Sequence, residues 1–178
     1  RMGAKVILVS APTSLPIPSG VDFISVDSAV SMQEAVEARY NDVNVVIMAA
    51  AVSDFRVLHK AEQKIKKMES MTIELVKNPD ILQGLGSKKS HQILVGFAAE
   101  TEHVIKYGQD KVARKNLDML VANDVSKSNA GFNVDTNEGY FLYPDKEPKE
   151  MPNMKKSDLA RHILREVIDL VANRADIN

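Results

Sequence analysis

The stretch VVIMAAAVSDFR, residues 45–56, decides the fold because a wholly apolar run ends there in an abrupt polar cluster. An apolar run with no polar residue to face solvent is typical of a strand buried on both faces of a parallel sheet. We therefore predict a central strand at residues 45–51. The serine, aspartate, aromatic residue and arginine that follow lie where ligands approach such a strand.

Apolar runs alternate with helical patterns over most of the chain. We predict strands at residues 5–9, 23–26, 72–76, 93–98 and 118–122, a polar loop at 53–71, and helices at 31–40, from 78 onward, at 102–116 and at 155–173. Ser31 and Asn78 are the expected N-caps, with Pro79 in the first turn. This alternation favours an α/β, doubly wound, mostly parallel Rossmann-like sheet, with helices on both faces and a C-terminal β-hairpin region near residues 139–143.

Composition excludes several classes of protein. The 178 residues fit one domain, residues 1–178, and the net charge of -1 argues against a nucleic-acid surface. No window approaches 18 apolar residues, so we expect no membrane span. The chain has no cysteine, which excludes disulfides and thiolate metal sites and is compatible with the cytoplasmic location that we expect.

A glycine-rich phosphate loop is missing from its usual place after the first strand. Residues 11–20 are proline-rich instead, and Gly84 and Gly86 fall where a helix would end. The sequence therefore lacks the classical NAD fingerprint.

Polar residues follow three of the predicted strands, and parallel strands would bring them to one edge of the sheet. Ser53, Asp54 and Arg56 follow the strand at 45–51, and Glu100 and Thr101 follow the strand at 93–98. Asn123, Asp124 and Ser126 follow the strand at 118–122. A ligand site is one interpretation of this pattern, and solvated loop ends are the other.

Lysines and a helix start give two further signals. Lys64, Lys66 and Lys67 lie in the polar loop, and Lys111 and Lys115 are four apart, so that both could reach one anion. A solvated basic face would look the same. In KNPD, residues 77–80, the helix N-terminus could hold an anion, or Asn78 could simply cap it.

Histidine and serine chemistry finds no support. The four histidines lack metal-ligand spacing, so we expect no protein metal site, and no nucleophile-elbow motif is present. Asp54, Glu100 and Asp124 could hold Mg²⁺ through bound phosphates. The residue types and their positions thus predict a sheet edge suited to a phosphorylated ligand, but they do not identify that ligand.

Six motifs, taken in order, resemble bacterial phosphopantothenoylcysteine synthetase, the ligase half of the bifunctional coenzyme A biosynthesis protein. They are AAAVSDFR (49–56), KIKK (64–67), VKNPDIL (76–82), GFAAET (96–101), KVARKNLDMLVANDVS (111–126) and GFNVDTNEG (131–139). The resemblance implies a CTP- and Mg²⁺-dependent phosphopantothenate–cysteine ligase. The carboxylate of 4'-phosphopantothenate would attack CTP to give an acyl-cytidylate, and cysteine would then form the amide.

The resemblance also implies roles for individual residues. Lys64 matches the lysine needed for turnover, and Ala50 and Ala51 match contacts to the phosphopantothenate arm. The nucleotide positions are Asp54, Asn78, Pro79, Asp80, Ile81, Phe97, Lys111 and Lys115.

Members of the resembled family carry more chain than this one. Before the equivalent of Gly3 they have a strand, a glycine-rich loop and a helix that contribute to the triphosphate site, so we expect the N-terminal part of the ligase domain to be missing here and this chain alone to be inactive. The resemblance further implies a homodimer, with residues 125–145 near its interface, and a fused flavin-dependent decarboxylase domain in the full-length protein.

Two rival functions remain open at this point. An NAD(P)-dependent oxidoreductase would share the fold class, although the missing fingerprint counts against it. A non-catalytic interaction domain would leave the polar strand ends and the Lys111–Lys115 pair unexplained. Nucleotide choice separates the first two, and the third should bind no nucleotide.

Overall fold

The computed structural model describes residues 3–67, 69–125 and 136–175, and the chain divides into two compact units. One unit is Arg1–Arg39 with Ala51–Ile81, and the other is Tyr40–Ala50 with Leu82–Asn178. The elements, in chain order, are β1 (Ile7–Ser10), β2 (Asp22–Ser25), α1 (Ala29–Glu37), a 3-10 turn (Tyr40–Asp42), β3 (Val45–Met48), β4 (Phe55–Val57), β5 (Leu75–Lys77), α2 (Ile81–Ser87), β6 (Ile93–Glu100), α3 (Val104–Arg114), β7 (Met119–Asp124), β8 (Thr136–Leu142), β9 (Lys149–Lys155) and α4 (Lys156–Ala175).

A five-stranded sheet organises the second unit, in the order β3-β6-β7-β8-β9. The first three strands are parallel, whereas β8 and β9 form an antiparallel hairpin. On one face, side chains of β6 to β9 pack against Leu159, Ile163 and Val167 of α4. The opposite face packs against α3, where a Cβ added to Gly108 would meet the side chains of Leu142, Leu120 and Ala122. The predicted α/β class, with helices on both faces and a C-terminal hairpin, is confirmed.

The prediction that β3 lies in the centre of the sheet is wrong. Within the described residues β3 pairs only with β6, so it forms an edge of the five-stranded sheet, and Ile47 is 40% exposed. An apolar run reports that its side chains avoid water, but it does not report how many strands pair with it. The strand also ends at Met48, which leaves Ala50 exposed and outside the ladder.

Unit one contains two small sheets, a parallel pair β1–β2 and an antiparallel pair β4–β5. The strand expected at 5–9 is β1, but it is only half-buried. The segment predicted as a polar loop at 53–71 contains β4, because Phe55, Arg56 and Val57 pair with residues of β5. Short ladders of three residues leave little periodicity to detect, which is why the sequence did not indicate this one.

Two predicted helix caps are also wrong. Ser28, and not Ser31, caps α1: its extended backbone lets the hydroxyl accept the N–H of Ser31, whose own hydroxyl accepts the N–H of Ser28. Helix α2 begins at Ile81, two residues after Pro79, so Asn78 does not cap it. The Asn78 side chain is bound to other groups of the chain, as described below.

Among the described residues no helix combines the length and the apolarity that crossing a lipid bilayer requires. The prediction that residues 1–178 form one nucleotide-binding ligase domain stays a prediction.

A partly buried hydrogen-bonded cluster around Glu166 attaches α4 to the β8–β9 hairpin. The Tyr143 hydroxyl donates to Glu166 Oε2 at 2.5 Å, and the Lys149 ammonium pairs with Oε1 of the same carboxylate. Burial raises the pKa of Glu166, but hydrogen bonds from Lys149 and Tyr143 outweigh burial and hold this pKa below its ordinary value. Burial, followed by the hydrogen bond to Glu166, raises the pKa of Tyr143.

The Glu166 cluster predicts a defined acid sensitivity. Because its folded-state pKa is lowered, the Glu166 carboxylate stabilises the fold above its unfolded pKa, and this stabilisation is lost as the pH falls through the folded value. We expect Glu166→Gln to lower the free energy of unfolding at pH 7 by about 1.5 kcal/mol, the scale of a charged hydrogen bond. The deficit should shrink below about pH 4. Urea unfolding from pH 3 to 8 measures it, with exposed Glu150→Gln as control; a deficit independent of pH would contradict the assignment.

Candidate functional site

Asn78 is the centre of the candidate site residues that lie in unit one. Its backbone N–H donates to the Asp54 carbonyl at 2.8 Å, and its Nδ2 donates to the Ser53 carbonyl at 2.8 Å. Its Oδ1 accepts from Arg56 Nη1 at 3.3 Å. Asn78 is only 9% exposed, so these bonds fix the polar cluster of the opening stretch against the segment that leads into α2.

The other predicted residues of unit one differ in what they can offer a ligand. Asp54 is exposed, and its carboxylate has no partner among the described residues, so it is available to a cation or a hydroxyl group. Pro79 is half-buried and Asp80 is exposed. Ile81 is 4% exposed, so its side chain packs in the interior and only its backbone could meet a ligand.

Ala51 and Lys64 lie on the surface of the same unit. The Ala51 side chain is small and exposed, which permits close approach to the backbone. Lys64 is exposed in the segment between β4 and β5, and its ammonium has no ion pair with a described residue. A long, solvated lysine of this kind keeps its charge available for a phosphate.

Lys111 and Glu100 form the main charged contact among the candidate site residues of unit two. Glu100 is the last residue of β6, and its Oε1 pairs with the Lys111 ammonium on α3. The side chains are 14% and 35% exposed, respectively, so the pair is partly shielded from water. Glu100 thereby fixes a lysine at the carboxyl end of the parallel strands, where ligands of α/β sheets bind.

Phe97, Lys115 and Ala50 complete the predicted positions in unit two. Phe97 lies on β6 and packs, partly buried, against the core beneath α4. Lys115 follows the last turn of α3, and its carbonyl lies directly against Gly86 of α2. Ala50 is exposed just after β3. The sequence predicts that Lys111 and Lys115 lie on one face of a helix. Lys111 lies within α3, but Lys115 is the C-cap residue that follows its last helical residue, so the two share a face only at the end of the helix.

An open cavity of about 410 Å³ adjoins the start of α3, lined by His103, Val104, Ile105, Lys106, Asp124 and Tyr140. Of the residues singled out in the sequence, Asp124, one of the candidate Mg²⁺ carboxylates, lines it. His103 adopts a left-handed conformation, with φ 47°, and provides no side-chain cap for the helix. Sequence patterns indicated Asp124 but not the other residues that line this cavity.

The described residues contain no group of three or more histidine, aspartate or glutamate side chains that could hold a metal ion. The exposed Asp54 carboxylate is of the donor type that Mg²⁺ takes when phosphates and water supply its other oxygens.

The family model described as "DNA/pantothenate metabolism flavoprotein C-terminal domain" matches residues 1–171. The chain belongs to this family. Among curated relatives, it is 46% identical over 172 residues to the coenzyme A biosynthesis bifunctional protein CoaBC of Bacillus subtilis, covering 96% of this chain and 42% of that protein. It is 43% identical over 173 residues to CoaBC of Escherichia coli, covering 94% and 42%. The chain thus spans about two fifths of the length of these relatives.

Solved structures agree with the family assignment. The crystal structure of the C-terminal domain of CoaBC matches with a TM-score of 0.81 and 38% identity, covering 96% of this chain and 76% of that one. The DNA/pantothenate metabolism flavoprotein from Streptococcus pneumoniae matches with a TM-score of 0.76, covering 94% and 82%. At 17% identity the second match supports the fold alone.

Two contacts of the candidate site residues cannot be predicted from the sequence. Glu100 is predicted as a possible Mg²⁺ carboxylate, but nothing in the sequence links it to Lys111 on the next helix. Arg56 was noted only as part of the polar ending, although it bonds to Lys77 and Asn78. The pairing of β4 with β5 creates the second contact, and three-residue strands gave no signal for it.

Proposed function

We propose that this chain acts in coenzyme A biosynthesis as the phosphopantothenate–cysteine ligase part of a CoaBC protein. The observation that carries the proposal is 46% identity to a coenzyme A biosynthesis bifunctional protein over 96% of the chain. The order of the site motifs, which resembles the synthetase and not the decarboxylase half, supports the ligase reaction.

The proposed reaction has two steps. A carboxylate oxygen of 4'-phosphopantothenate attacks the α-phosphorus of CTP, and pyrophosphate leaves with the electron pair of the broken P–O bond. The cysteine amine then attacks the acyl carbon, CMP leaves, and the amine loses a proton as the amide forms. Both steps pass through concentrated negative charge, which preorganised cations and backbone donors stabilise.

The proposed roles follow the chemistry of the side chains. Lys111, already oriented by Glu100, and Lys115 would neutralise nucleotide phosphates, and Phe97 would contact the nucleotide from β6. Asp54 and the backbone at 78–81 would bind the nucleotide in unit one, while Ala50 and Ala51 contact the phosphopantothenate arm. Lys64 would provide the charge needed for turnover. Mg²⁺, held mainly through the phosphates, supplies further charge neutralisation when bound.

The assembly and location of the protein belong to the same proposal. We propose a homodimer, a fused flavin-dependent decarboxylase domain in the full-length protein, and a cytoplasmic location, without nucleic-acid or membrane partners. The name of the relatives, a bifunctional protein, supports the fused domain. Of the residues predicted near the dimer interface, residues 126–135, which include Ser126, lie outside the described residues.

A nucleotide comparison tests the proposed function. We expect CTP with Mg²⁺ to raise the melting temperature of the protein at a concentration where ATP and NAD do not, because only the ligand bound by the native state stabilises it. Mass spectrometry should then detect phosphopantothenoylcysteine after incubation of the full-length protein with CTP, phosphopantothenate and cysteine. Stabilisation by NAD alone would overturn the ligase proposal in favour of an oxidoreductase. An absence of both CTP binding and product, in the full-length protein, would also overturn it.

A further inference from the structure

Arg56 is anchored on one side only. Its Nη1 donates to the Lys77 carbonyl at 2.9 Å and to Asn78 Oδ1 at 3.3 Å. The second acceptor belongs to a side chain that is itself 9% exposed and bonded to Ser53. These two acceptors, one a backbone oxygen and the other a side-chain oxygen, therefore fix the plane of the guanidinium as well as its position.

The other edge of the same guanidinium has donors to spare. A guanidinium carries five N–H donors, and the two bonds from Nη1 leave those on Nε and Nη2. Neither atom bonds to any residue that the structure describes, and Arg56 forms no ion pair there, although Asp54 is two residues away. Arg56 is an exposed residue, and an Nε–Nη2 edge is the fork that matches two oxygens of a phosphate or carboxylate.

A purely structural role explains this arrangement less well. Holding a long arginine side chain in one geometry costs about 2 kcal/mol of rotamer freedom. One bond goes to the backbone oxygen of exposed Lys77, and the other, at 3.3 Å, to the amide oxygen of buried Asn78; together they return little beyond that cost. If the remaining N–H groups bind an anion, the ordering of the Arg56 side chain favours binding. The side chain has then lost its conformational entropy before the ligand arrives.

We propose that Arg56 binds phosphoryl oxygens of the nucleotide through its Nε–Nη2 edge. The inference rests on the proposed function and assigns a ligand contact to a residue outside its predicted set. Its neighbours support the nucleotide over other anions, since Asn78, to which Arg56 is hydrogen-bonded, lies among the predicted nucleotide positions. Bidentate contact to two phosphoryl oxygens would let Arg56 share the negative charge that develops at the α-phosphoryl group.

Calorimetric titration of three variants tests the inference. Arg56→Gln removes the charge and the fork, Arg56→Lys keeps the charge alone, and Arg39→Gln removes an exposed charge elsewhere in the same unit. With Mg²⁺ and salt held constant, we expect CTP to bind about 10- to 100-fold more weakly to Arg56→Gln. Arg56→Lys should show an intermediate loss, and Arg39→Gln should bind as the unchanged protein does.

Parallel titrations with pyrophosphate and with 4'-phosphopantothenate identify the anion. Pyrophosphate affinity should fall with that of CTP, and phosphopantothenate affinity should stay within about twofold. CTP affinity unchanged in Arg56→Gln would overturn the inference, and so would a loss confined to phosphopantothenate. If unmodified protein binds pyrophosphate but not CTP, the proposed function fails while the pyrophosphate arm still tests Arg56. Equal urea midpoints for the variants exclude unfolding as the cause, and Arg56→Lys decides the matter if Arg56→Gln unfolds.

Discussion

Replacement of Asp118 by alanine is expected to lower the free energy of unfolding by about 3–5 kcal/mol, the scale for breaking a buried ion pair. Asp118 is 8% exposed and precedes β7. Its Oδ2 accepts the Leu94 N–H at 2.7 Å and the Lys89 ammonium at 3.2 Å, and its Oδ1 accepts Arg174 Nη2 at 2.5 Å. Removal of one carboxylate would therefore take the counter-ion from two cations and the acceptor from one backbone donor.

The surroundings of Asp118 explain why this loss cannot be absorbed easily. The Lys89 side chain is 10% exposed, and Arg174 also donates to the carbonyls of His91 and Gln92. Lys89 also donates to the Asn116 carbonyl at 2.7 Å, so neither cation can turn fully to water without breaking a further bond. A buried charge that loses its counter-ion keeps the cost of its desolvation, which is what makes the truncation expensive.

Urea unfolding at pH 7 measures the effect, with Asp158→Ala as the matched control. Asp158 pairs with Arg161 on the surface of α4, where the two side chains are 47% and 70% exposed, so its loss should cost less than about 1 kcal/mol. Asp118→Asn tests the charge separately, because the amide oxygen can still accept the Leu94 N–H. An Asp118→Ala protein within 1 kcal/mol of the unchanged chain would contradict the prediction.

Gly86 and Gly84 provide the second large effect, with opposite signs in one helix. A Cβ on Gly86 would lie 1.9 Å from the Lys115 carbonyl oxygen, which is backbone and cannot move aside alone. A Cβ on Gly84 would meet nothing within 4 Å. We expect Gly86→Ala to cost about 3 kcal/mol through overpacking. Gly84→Ala should gain about 0.5–1 kcal/mol, because alanine favours the helix.

The Gly86 contact also involves the residues after α3. The Asn116 side chain donates to the Gly86 carbonyl at 2.9 Å, so a shift of α2 would break this bond as well. Thermal and urea unfolding of the two alanine variants give the difference directly. Equal stability of the two variants would show that α2 and the Lys115 segment are not in close contact in solution.

The central part of the fold could be predicted from sequence, for identifiable reasons. Strands β6 and β7 and helix α4 lie within about two residues of the predicted bounds, because β6 and β7 are buried by apolar residues on both faces and α4 carries a regular apolar stripe. The edge position of β3 could not be predicted, since strand order depends on pairing across the whole chain and not on the run itself.

Local polar signals were the less reliable guides. Asn78 before a proline is typical of a helix cap, yet its side chain bonds to Ser53 and Arg56, which are more than 20 positions away. Ser28 caps the helix because its backbone is extended, whereas Ser31 already lies in the first turn. The residue type, serine in both cases, does not carry this difference. The site residues came from resemblance, and whether they bind the predicted ligands stays a prediction.

The hydrogen bonds of Arg174 affect the order in which parts of the protein open to solvent. The last turn of a terminal helix ordinarily frays, so its amide hydrogens exchange with solvent early. Here Arg174, next to the end of α4, is bound to Asp118 and to the carbonyls ahead of β6, while Glu166 holds the middle of the helix to the hairpin. Helix α4 should therefore exchange its amides together with β6 and β7, as part of one cooperative opening.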